Sequence, residues 1–256
     1  MKRLIGQVSS DTKKGGRPHQ EDRLIFSKKR ISDQEFGWLL AIMDGHGGNY
    51  VAEYCAKNLE IFFEQALNKK KEVDLDVLRG TVNLLNESTR HQEAGSTISL
   101  AFISETSAKA LVAILGDSPV LILDRHEKIN IGPEHNVRTN LKEKQAAISR
   151  GAEYSDGYIY VGDYGLQMSR ALGDSSLDEV LSREAEVYEV ELGDNSFVLV
   201  ASDGIFDPSH YEISDQINRI YAMIKNDQNC KAEHLVKDAI SRRTEDNATA
   251  IIWRAI

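Results

Sequence analysis

The chain has 256 residues, of which 41% are hydrophobic and 28% are charged, and its formal net charge is −9. These fractions are ordinary for a globular protein with a hydrophobic core, and the length allows one large domain or two small ones. The acidic balance argues against nucleic-acid binding, and the absence of a long apolar run argues against a transmembrane or secretory segment. The two cysteines, Cys55 and Cys230, are too few for a disulfide framework. We therefore expect a cytoplasmic monomer without a nucleic-acid or membrane partner.

Hydrophobic spacing divides the chain into predicted strands and helices. Apolar runs and alternation predict strands at residues 4–10, 23–27, 38–43, 96–103, 110–115, 120–123, 158–161, 197–201 and 248–253. Apolar positions three and four residues apart predict helices at residues 51–66, 75–85, 141–150, 213–224 and 232–242. Residues 116–119 have the composition of a hairpin turn. This order, without a repeat or a linker, indicates a single α+β domain over residues 1–256 in which helices cover sheets.

The stretch from residue 36 to residue 48 carries the first indication of a functional site. Residues 38–43 form an apolar run of strand length, and Asp44-Gly45-His46-Gly47-Gly48 follows it directly. An acidic residue at the end of a buried strand holds a carboxylate on a rigid element, and the glycines let the backbone approach a ligand. That arrangement suits a cation or a phosphate. The alternative is an ordinary strand-to-helix turn in which Asp44 caps the next helix.

Similar acidic residues recur beside strand ends elsewhere in the chain. Asp203 follows the apolar strand at 197–201, and Asp246 precedes the last strand; Glu21-Asp22 and Asp117 supply further acids in loops. A single Asp-Gly pair is a common turn, so each occurrence alone is weak evidence. Hard cations such as Mg²⁺ and Mn²⁺ prefer oxygen ligands, often one or two carboxylates together with carbonyls and waters. Together these residues indicate a divalent-metal site.

A two-metal site would use these residues in different ways. Asp44 could bridge two cations, and Gly45 could offer its carbonyl because no side chain blocks the approach. Two divalent cations would balance four carboxylates, so an incoming phosphate would need a further positive group. Arg17 lies on the same loop as Glu21, and its planar guanidinium can bind two phosphate oxygens.

Competing catalytic motifs do not occur. The sequence has no P-loop, no glycine-rich dinucleotide motif, no elbow serine and no His-Glu-x-x-His spacing. Neither cysteine lies in a nucleophile motif.

Seven short motifs along the chain carry a resemblance to a known family. They are Gly15-x-Arg17 with Glu21-Asp22, Asp44-Gly45-His46-Gly47-Gly48, Gly95-Ser96-Thr97, Gly116-Asp117-Ser118, Ser169-Arg170-Ala171-Leu172-Gly173-Asp174, Ser202-Asp203-Gly204-Ile205-Phe206-Asp207 and Asp246-Asn247. In this order they resemble the metal-dependent serine/threonine protein phosphatases of type 2C. The resemblance implies a central β-sandwich of two mainly antiparallel sheets flanked by helix pairs, a four-layer α-β-β-α arrangement with the metal site at one edge. Pro119 departs from the family, which commonly has arginine there.

The resemblance also implies roles for the acidic residues. Asp44, Asp203 and Asp246 resemble the ligands of one tightly bound metal. Asp44 and the Gly45 carbonyl resemble the ligands of a second, which Glu21 reaches through water. The expected cofactors are therefore two Mg²⁺ or Mn²⁺ ions, and Asp117 with Asp203 resembles a third, weaker site.

The catalytic residues implied by the resemblance are Arg17 and His46. Arg17 resembles the arginine that binds the substrate phosphate, and His46 resembles the proposed general acid. We expect hydrolysis of phosphoserine and phosphothreonine in phosphoprotein substrates by a water that bridges two metals. One alternative is a pseudophosphatase that binds phosphoproteins without turnover. Another is a related hydrolase that acts on a small phosphate ester.

Overall fold

The computed structural model describes residues 3–206 and 213–256, so Asp207 of the sixth motif lies outside the described residues. The helices are α1 (Tyr50–Leu67), α2 (Leu75–Thr89), α3 (Leu141–Ser149), α4 (Ile213–Asn226) and α5 (Ala232–Ser241). The strands of the first half are β1 (Gly6–Lys13), β2 (Arg23–Arg30), β3 (Phe36–Met43), β4 (Gly45–His46), β5 (Gly95–Ser96), β6 (Ile98–Ser104), β7 (Lys109–Leu115) and β8 (Val120–Leu123). Those of the second half are β9 (Ile129–Ile131), β10 (Glu153–Ser155), β11 (Tyr158–Val161), β12 (Tyr164–Leu166), β13 (Leu172–Gly173), β14 (Glu186–Glu191), β15 (Phe197–Ala201) and β16 (Ala248–Ala255).

Two five-stranded antiparallel sheets form the centre of the molecule. The first sheet has the strand order β14-β7-β6-β3-β2, and the second has the order β1-β16-β15-β8-β9. Two smaller sheets lie outside them. One is β13-β5-β4, in which β4 is part of the motif at residues 44–48, and the other is β10-β11-β12.

The side chains of β3 show how the layers are held together. Leu39, Ala41 and Met43 pack against the buried residues of α1 and α2. Leu40 and Ile42 point to the other face, where they join a core that includes residues of β16. Successive side chains of a strand alternate between its two faces, so a continuous apolar run is expected where both faces are covered. The apolar run at residues 38–43 is therefore a strand that lies between two apolar layers.

Helices cover both outer faces of the sandwich. The outer face of the second sheet packs against Ile220 and Ile224 of α4 and Leu235, Val236 and Ala239 of α5. The predicted α+β class and the four-layer α-β-β-α arrangement are confirmed, and each predicted helix is found with its ends within a few residues of the expected ones. Among the described residues, no helix is long and apolar enough to span a bilayer.

The hairpin predicted at residues 116–119 is wrong. β7 pairs with β6 and β14 in the first sheet, whereas β8 pairs with β9 and β15 in the second. The chain crosses between the sheets at this turn, and the Pro119 carbonyl accepts a hydrogen bond from Ala201 N at 3.1 Å. The sequence Gly-Asp-Ser-Pro favours a change of chain direction, both in a hairpin and in a crossing between sheets. Which of the two forms depends on the strands that pair with β7 and β8, and some of these strands are distant in sequence.

The sequence predicts the β10-β11-β12 sheet only in part. Its central strand β11 is expected, but β10 and β12 are three residues each, too short for a detectable alternation. This sheet packs with α3 around Ile159, which is fully buried.

Candidate active site

In the first sheet, strand register brings several predicted site residues to one edge. β2 starts where β3 ends, since Arg23 pairs with Met43. Glu21, two residues before β2, and Asp44, directly after β3, are therefore neighbours. β7 ends at the same edge, and Asp117 follows it.

The second sheet contributes acidic residues at the same edge. Asp203 follows β15 and Asp246 precedes β16, and the two strand ends are adjacent because Ala201 pairs with Ala250. Between the sheets, Thr249 Oγ1 of β16 donates to Asp22 Oδ2 at 2.6 Å. That contact joins the start of β2 in the first sheet to β16 in the second. The acidic residues of both sheets consequently form one cluster.

Without bound cations, the negative charges of the buried carboxylates in this cluster repel one another. Burial raises the pKa of Asp44 well above its ordinary value, and the negative charges of Asp22, Asp203, Asp246 and Asp117 raise it further. Burial likewise raises the pKa of Asp203, and Asp117, Asp246 and Asp22 add to the effect. Like charges close together in a low-dielectric environment disfavour ionisation. A group of this kind is stabilised by cations.

Asp22 belongs to this cluster, as its place among the acidic loop residues suggests, although the sequence analysis assigns it no metal-ligand role. It is 3% exposed, and burial raises the pKa of its carboxyl group. The sequence signal is its place beside Glu21 at a strand start, but such a position does not show whether a side chain points inward.

The donor atoms of the cluster are of the type that a divalent cation prefers, although among the described residues no three of these carboxylates have ligand atoms within 4.8 Å of one another. The ligands would be carboxylate and carbonyl oxygens, which Mg²⁺ and Mn²⁺ prefer. Asp203 Oδ1 and Asp22 Oδ1 are buried and have no hydrogen-bond partner among the described residues. Buried polar atoms are nearly always satisfied, so an orphaned carboxylate oxygen points to a missing positive partner. The acidic residues and their raised pKa values are therefore consistent with a metal site.

Arg17 provides one positive charge at the rim of the cluster. Its Nη2 lies 2.5 Å from Asp246 Oδ2, and its side chain is 55% exposed. The hydrogen bond and charge of Asp246 raise the pKa of Arg17, with smaller contributions from Asp203 and Asp44. A metal bound by Asp246 would compete with Arg17 for this carboxylate. Released from Asp246, Arg17 would be free to contact a phosphate.

Asn247 fastens the Arg17 loop to the cluster. Its Nδ2 donates to the carbonyls of Lys14 at 2.7 Å and His19 at 2.9 Å, and its Oδ1 accepts from Glu21 N at 2.8 Å. A buried amide can satisfy three partners in this way. One side chain thus holds both ends of the loop that carries Arg17 and Glu21.

The glycine at position 45 permits a close approach between two segments of the site. A Cβ atom at Gly45 would lie 2.7 Å from the carbonyl oxygen of Glu21. Only glycine fits such a contact without a shift of the backbone. Gly45, Glu21 and Asp44 therefore lie side by side, as the predicted second metal site requires.

His46 is held beside Asp174. In the β13-β5-β4 sheet, His46 pairs with Gly95, which in turn pairs with Gly173. Asp174 follows directly, and its Oδ2 lies 2.8 Å from His46 Nε2. A Cβ at Gly95 would overlap both His46 Nε2 and the Asp174 carboxylate. The hydrogen bond between His46 and Asp174 therefore requires glycine at position 95. Sequence reasoning included Asp174 in a motif but gave it no function.

The environment of His46 favours its protonated form. Burial lowers the pKa of His46, but the hydrogen bond and charge of Asp174 raise it, as do the charges of Asp117 and Glu21. The net result is a pKa above the ordinary value. His46 Nδ1 makes no hydrogen bond to the described residues, which leaves this nitrogen available to a ligand.

Asp117 lies on the turn that crosses between the sheets. Burial raises the pKa of its carboxyl group, although a hydrogen bond from Asn136 and the charge of His46 oppose that rise. Asn136 Nδ2 donates to Asp117 Oδ2 at 2.8 Å. The structure places Asp117 with the other acids of the cluster, and one of its oxygens already has a partner.

A second cluster of possible ligands has a different explanation. The ligand atoms of His135, Glu143 and Glu186 all lie within 4.8 Å of one another, the one such triad among the described residues. Arg170 donates to both carboxylate oxygens of Glu143, at 3.1 and 2.6 Å, and to Glu186 at 3.1 Å. A bidentate arginine already satisfies these acids. We interpret this cluster as an ion-pair network that joins α3 to β14.

Comparisons with known proteins agree with the geometry. A family model described as Protein phosphatase 2C matches residues 6–248. "Probable protein phosphatase 2C 58" of Arabidopsis thaliana is 32% identical over 252 residues, which cover 93% of this chain and 84% of that protein.

Solved structures show the same fold. The chain is similar to a serine-threonine phosphatase 2C from Toxoplasma gondii, with a TM-score of 0.74, 18% identity and coverage of 99% of this chain and 97% of that one. It is also similar to the catalytic domain of the phosphatase PstP in complex with two manganese ions, with a TM-score of 0.66, 18% identity and coverage of 99% of both chains. Together with the family match over residues 6–248, these findings show that the chain belongs to the protein phosphatase 2C family.

Proposed function

We propose that this protein hydrolyses phosphoserine and phosphothreonine in phosphoprotein substrates, as a metal-dependent phosphatase. The observation that carries the proposal is the meeting of five aspartates and Glu21 at one edge of the sandwich, where the buried Asp203 Oδ1 has no hydrogen-bond partner within residues 3–206 and 213–256. The family match supports it. We further propose that residues 1–256 form one catalytic domain, and that the protein is a cytoplasmic monomer without a nucleic-acid or membrane partner.

The proposed cofactors are two tightly bound Mg²⁺ or Mn²⁺ ions. Asp44, Asp203 and Asp246 would hold one ion, and Asp44 with the Gly45 carbonyl would hold the other, with Glu21 acting through water. When bound, such ions supply an acidified water as nucleophile and neutralise charge on the phosphate. A third, weaker site would use Asp117 and Asp203.

Arg17 is the proposed phosphate-binding residue. Its guanidinium already lies at the rim of the cluster against Asp246 and is more than half exposed. Its fork-shaped group of N–H donors matches two phosphate oxygens and stays protonated. On substrate binding, Arg17 would exchange the Asp246 carboxylate for the phosphate and hold it in position for attack.

His46 is the proposed general acid. The hydrogen bond that Nε2 donates to Asp174 fixes the ring and favours its protonated form. Because Nε2 is engaged, the proton for the departing seryl oxygen would come from Nδ1. Asp174 would then act as the positioning residue of this acid.

A turnover assay tests the proposed function. We expect a phosphoserine peptide to be hydrolysed in the presence of Mn²⁺ and to remain intact in excess EDTA. A pseudophosphatase would bind the peptide but release no phosphate. Hydrolysis of small phosphate esters alone would favour the second alternative, and full activity in excess chelator would contradict the two-metal proposal.

Metal binding should also stabilise the fold, because cations relieve the repulsion among the buried carboxylates. A ligand at a hundred times its dissociation constant stabilises a protein by about 2.7 kcal/mol. For a chain of this size that corresponds to roughly 5–10 °C in Tm. We expect differential scanning fluorimetry to show this rise with Mn²⁺ or Mg²⁺ and its reversal with EDTA. An unchanged Tm at saturating metal would count against a buried metal site.

Asp117→Ala separates the proposed third site from the two tight ones. The substitution removes a carboxylate whose Oδ2 is already bound by Asn136, and it leaves Asp44, Asp246 and Gly45 unchanged. We expect isothermal titration calorimetry to show two tight sites as in the wild type. Turnover should fall by roughly 10–100-fold, the usual size of the loss when a supporting group of a metal site is removed. Loss of a tight site would contradict the assignment of Asp117.

A further inference from the structure

A basic groove runs beside the loop that carries Arg17. It has a volume of about 890 Å³, within the usual range for ligand sites. Its positive residues are Lys13, Lys14, Lys237 and Arg243. The lining also contains three carboxylates, Asp11, Glu233 and Glu245. The groove is therefore net positive in a chain whose formal charge is −9.

The groove is formed where β1 meets α5. Ser9 of β1 accepts a hydrogen bond from Ala232 N at the start of α5, at 3.0 Å. Asp11 and Lys13 follow at two-residue intervals and share the face of Ser9. On α5, Lys237 and Ile240 are three residues apart and lie on one face, both exposed. Two rigid elements therefore hold the groove in shape.

Three of the four cations are available to a ligand. Lys13 lies 3.8 Å from Asp11. Lys14, Lys237 and Arg243 make no ion pair with any described residue, and all three are exposed. Ile240, which is 40% exposed, adds an apolar surface between them. Glu245, the exposed carboxylate of the lining that makes no ion pair with a described residue, is outnumbered by these three cations. The excess of unpaired positive charge on a concave surface attracts anionic groups and favours an extended acidic segment over an apolar one.

The groove is continuous with the active-site edge. Lys14 is three residues before Arg17, and Arg243 is three residues before Asp246. Three residues span at most about 11 Å of chain. The two segments are tied together, since Gly16 N donates to the Thr244 carbonyl at 3.2 Å. A substrate chain whose phosphate contacts Arg17 would therefore reach the groove after about three residues.

We propose that this basic groove binds an acidic segment of the substrate, glutamates or a second phosphorylated residue about three to five positions from the target phosphoserine. This inference rests on the proposed phosphatase function and specifies which phosphoproteins it favours. The groove contributes affinity for the flanking segment, while the chemistry stays at the metal edge. Its effect is expected in KM and not in kcat, because the contact is the same in the ground state and the transition state.

The test compares two phosphoserine peptides of equal length. One has glutamates at positions three to five on both sides of the phosphoserine, and the other has glutamines there. We expect the wild type to prefer the acidic peptide, and Lys237→Glu to reduce that preference by about three- to tenfold, as expected for reversal of one exposed charge. High salt should weaken the preference of the wild type in the same direction.

Lys71→Glu is the matched control. Lys71 is exposed between α1 and α2, on the opposite outer face of the sandwich from α5, and the change alters the net charge equally. It should leave the preference unchanged, and p-nitrophenyl phosphate should be hydrolysed equally by all three proteins. An equal reduction by Lys71→Glu would assign the effect to overall charge and overturn the proposal.

A binding measurement keeps this inference distinct from the proposed function. Fluorescence anisotropy with the two labelled peptides in EDTA reports binding without turnover. Hydrolysis of neither peptide in Mn²⁺ would refute the phosphatase proposal, yet tighter binding of the acidic peptide, lost in Lys237→Glu, would still support the groove. Equal binding and equal kcat/KM for both peptides in the wild type would overturn the groove proposal, even if both are hydrolysed rapidly.

Discussion

Asp203→Asn is expected to lower kcat/KM for a phosphoserine peptide by about 10³-fold while leaving the fold intact. The proposed role of Asp203 is to hold a cation that stabilises charge on the phosphate. Such Lewis-acid stabilisation is worth several kcal/mol, and each 1.36 kcal/mol is tenfold in rate. Asparagine keeps the size of the side chain but loses its charge. The loss therefore reports the metal contact and not a packing defect.

The Asp203→Asn variant, although less active, should be at least as stable as the wild type when metal is absent. Burial and neighbouring aspartates raise the pKa of Asp203 above its ordinary value of 3.8. A carboxyl group with a raised pKa in the folded state favours folding while protonated, and its contribution falls as the pH rises through that raised pKa. At neutral pH in EDTA, the raised pKa of Asp203 thus lowers the stability of the fold. The asparagine of the variant is neutral, so we expect a Tm in EDTA equal to or above that of the wild type.

Three measurements decide this prediction. The kcat/KM value in Mn²⁺ should fall, the Tm in EDTA should not fall, and the rise in Tm on adding Mn²⁺ should shrink. Asp194→Asn is the control, since Asp194 is an exposed turn residue away from the cluster and should change none of these values. Wild-type activity in Asp203→Asn would remove this residue from the proposed metal site.

The position of the acidic cluster could be predicted because strand ends carry it. Asp44 and Asp203 each follow an apolar run, and each run is a strand buried between layers. Antiparallel register then places the start of one strand beside the end of its neighbour, as Arg23 beside Met43 shows. Local sequence therefore contained both the strands and the acids, and the resemblance supplied the arrangement of two sheets with the site at one edge.

Other parts of the site depend on contacts between distant segments and could not be predicted. Asp174 reaches His46 across 128 positions through two short strand pairings that leave no periodic signal. Asp22 is buried at the junction of the two sheets, where Thr249 of the other sheet donates a hydrogen bond to it. The crossing at Asp117 resembles a hairpin locally, and only the partners of β8 reveal it. In each case the decisive energy comes from tertiary packing, which the local sequence does not specify.

The second large effect is expected for His46→Gln, and it should depend on the leaving group. A serine alkoxide is a very poor leaving group and needs a proton in the transition state, whereas the nitrophenolate of p-nitrophenyl phosphate leaves readily without one. General acid catalysis is typically worth about 10²–10⁴-fold. Glutamine can hydrogen-bond to Asp174 but cannot supply the proton. Hydrolysis of a phosphoserine peptide should therefore fall by about that factor.

Hydrolysis of p-nitrophenyl phosphate by His46→Gln should change much less, and metal affinity measured by calorimetry should stay close to that of the wild type. Asp174→Asn provides a comparison, because it keeps a hydrogen-bonding group beside Nε2 but removes the charge that raises the pKa of His46. That variant should show the same dependence on the leaving group with a smaller loss, since the imidazole is still present. Equal slowing of both substrates by His46→Gln, with metal affinity intact, would show that His46 positions the phosphate or the water and does not donate the proton.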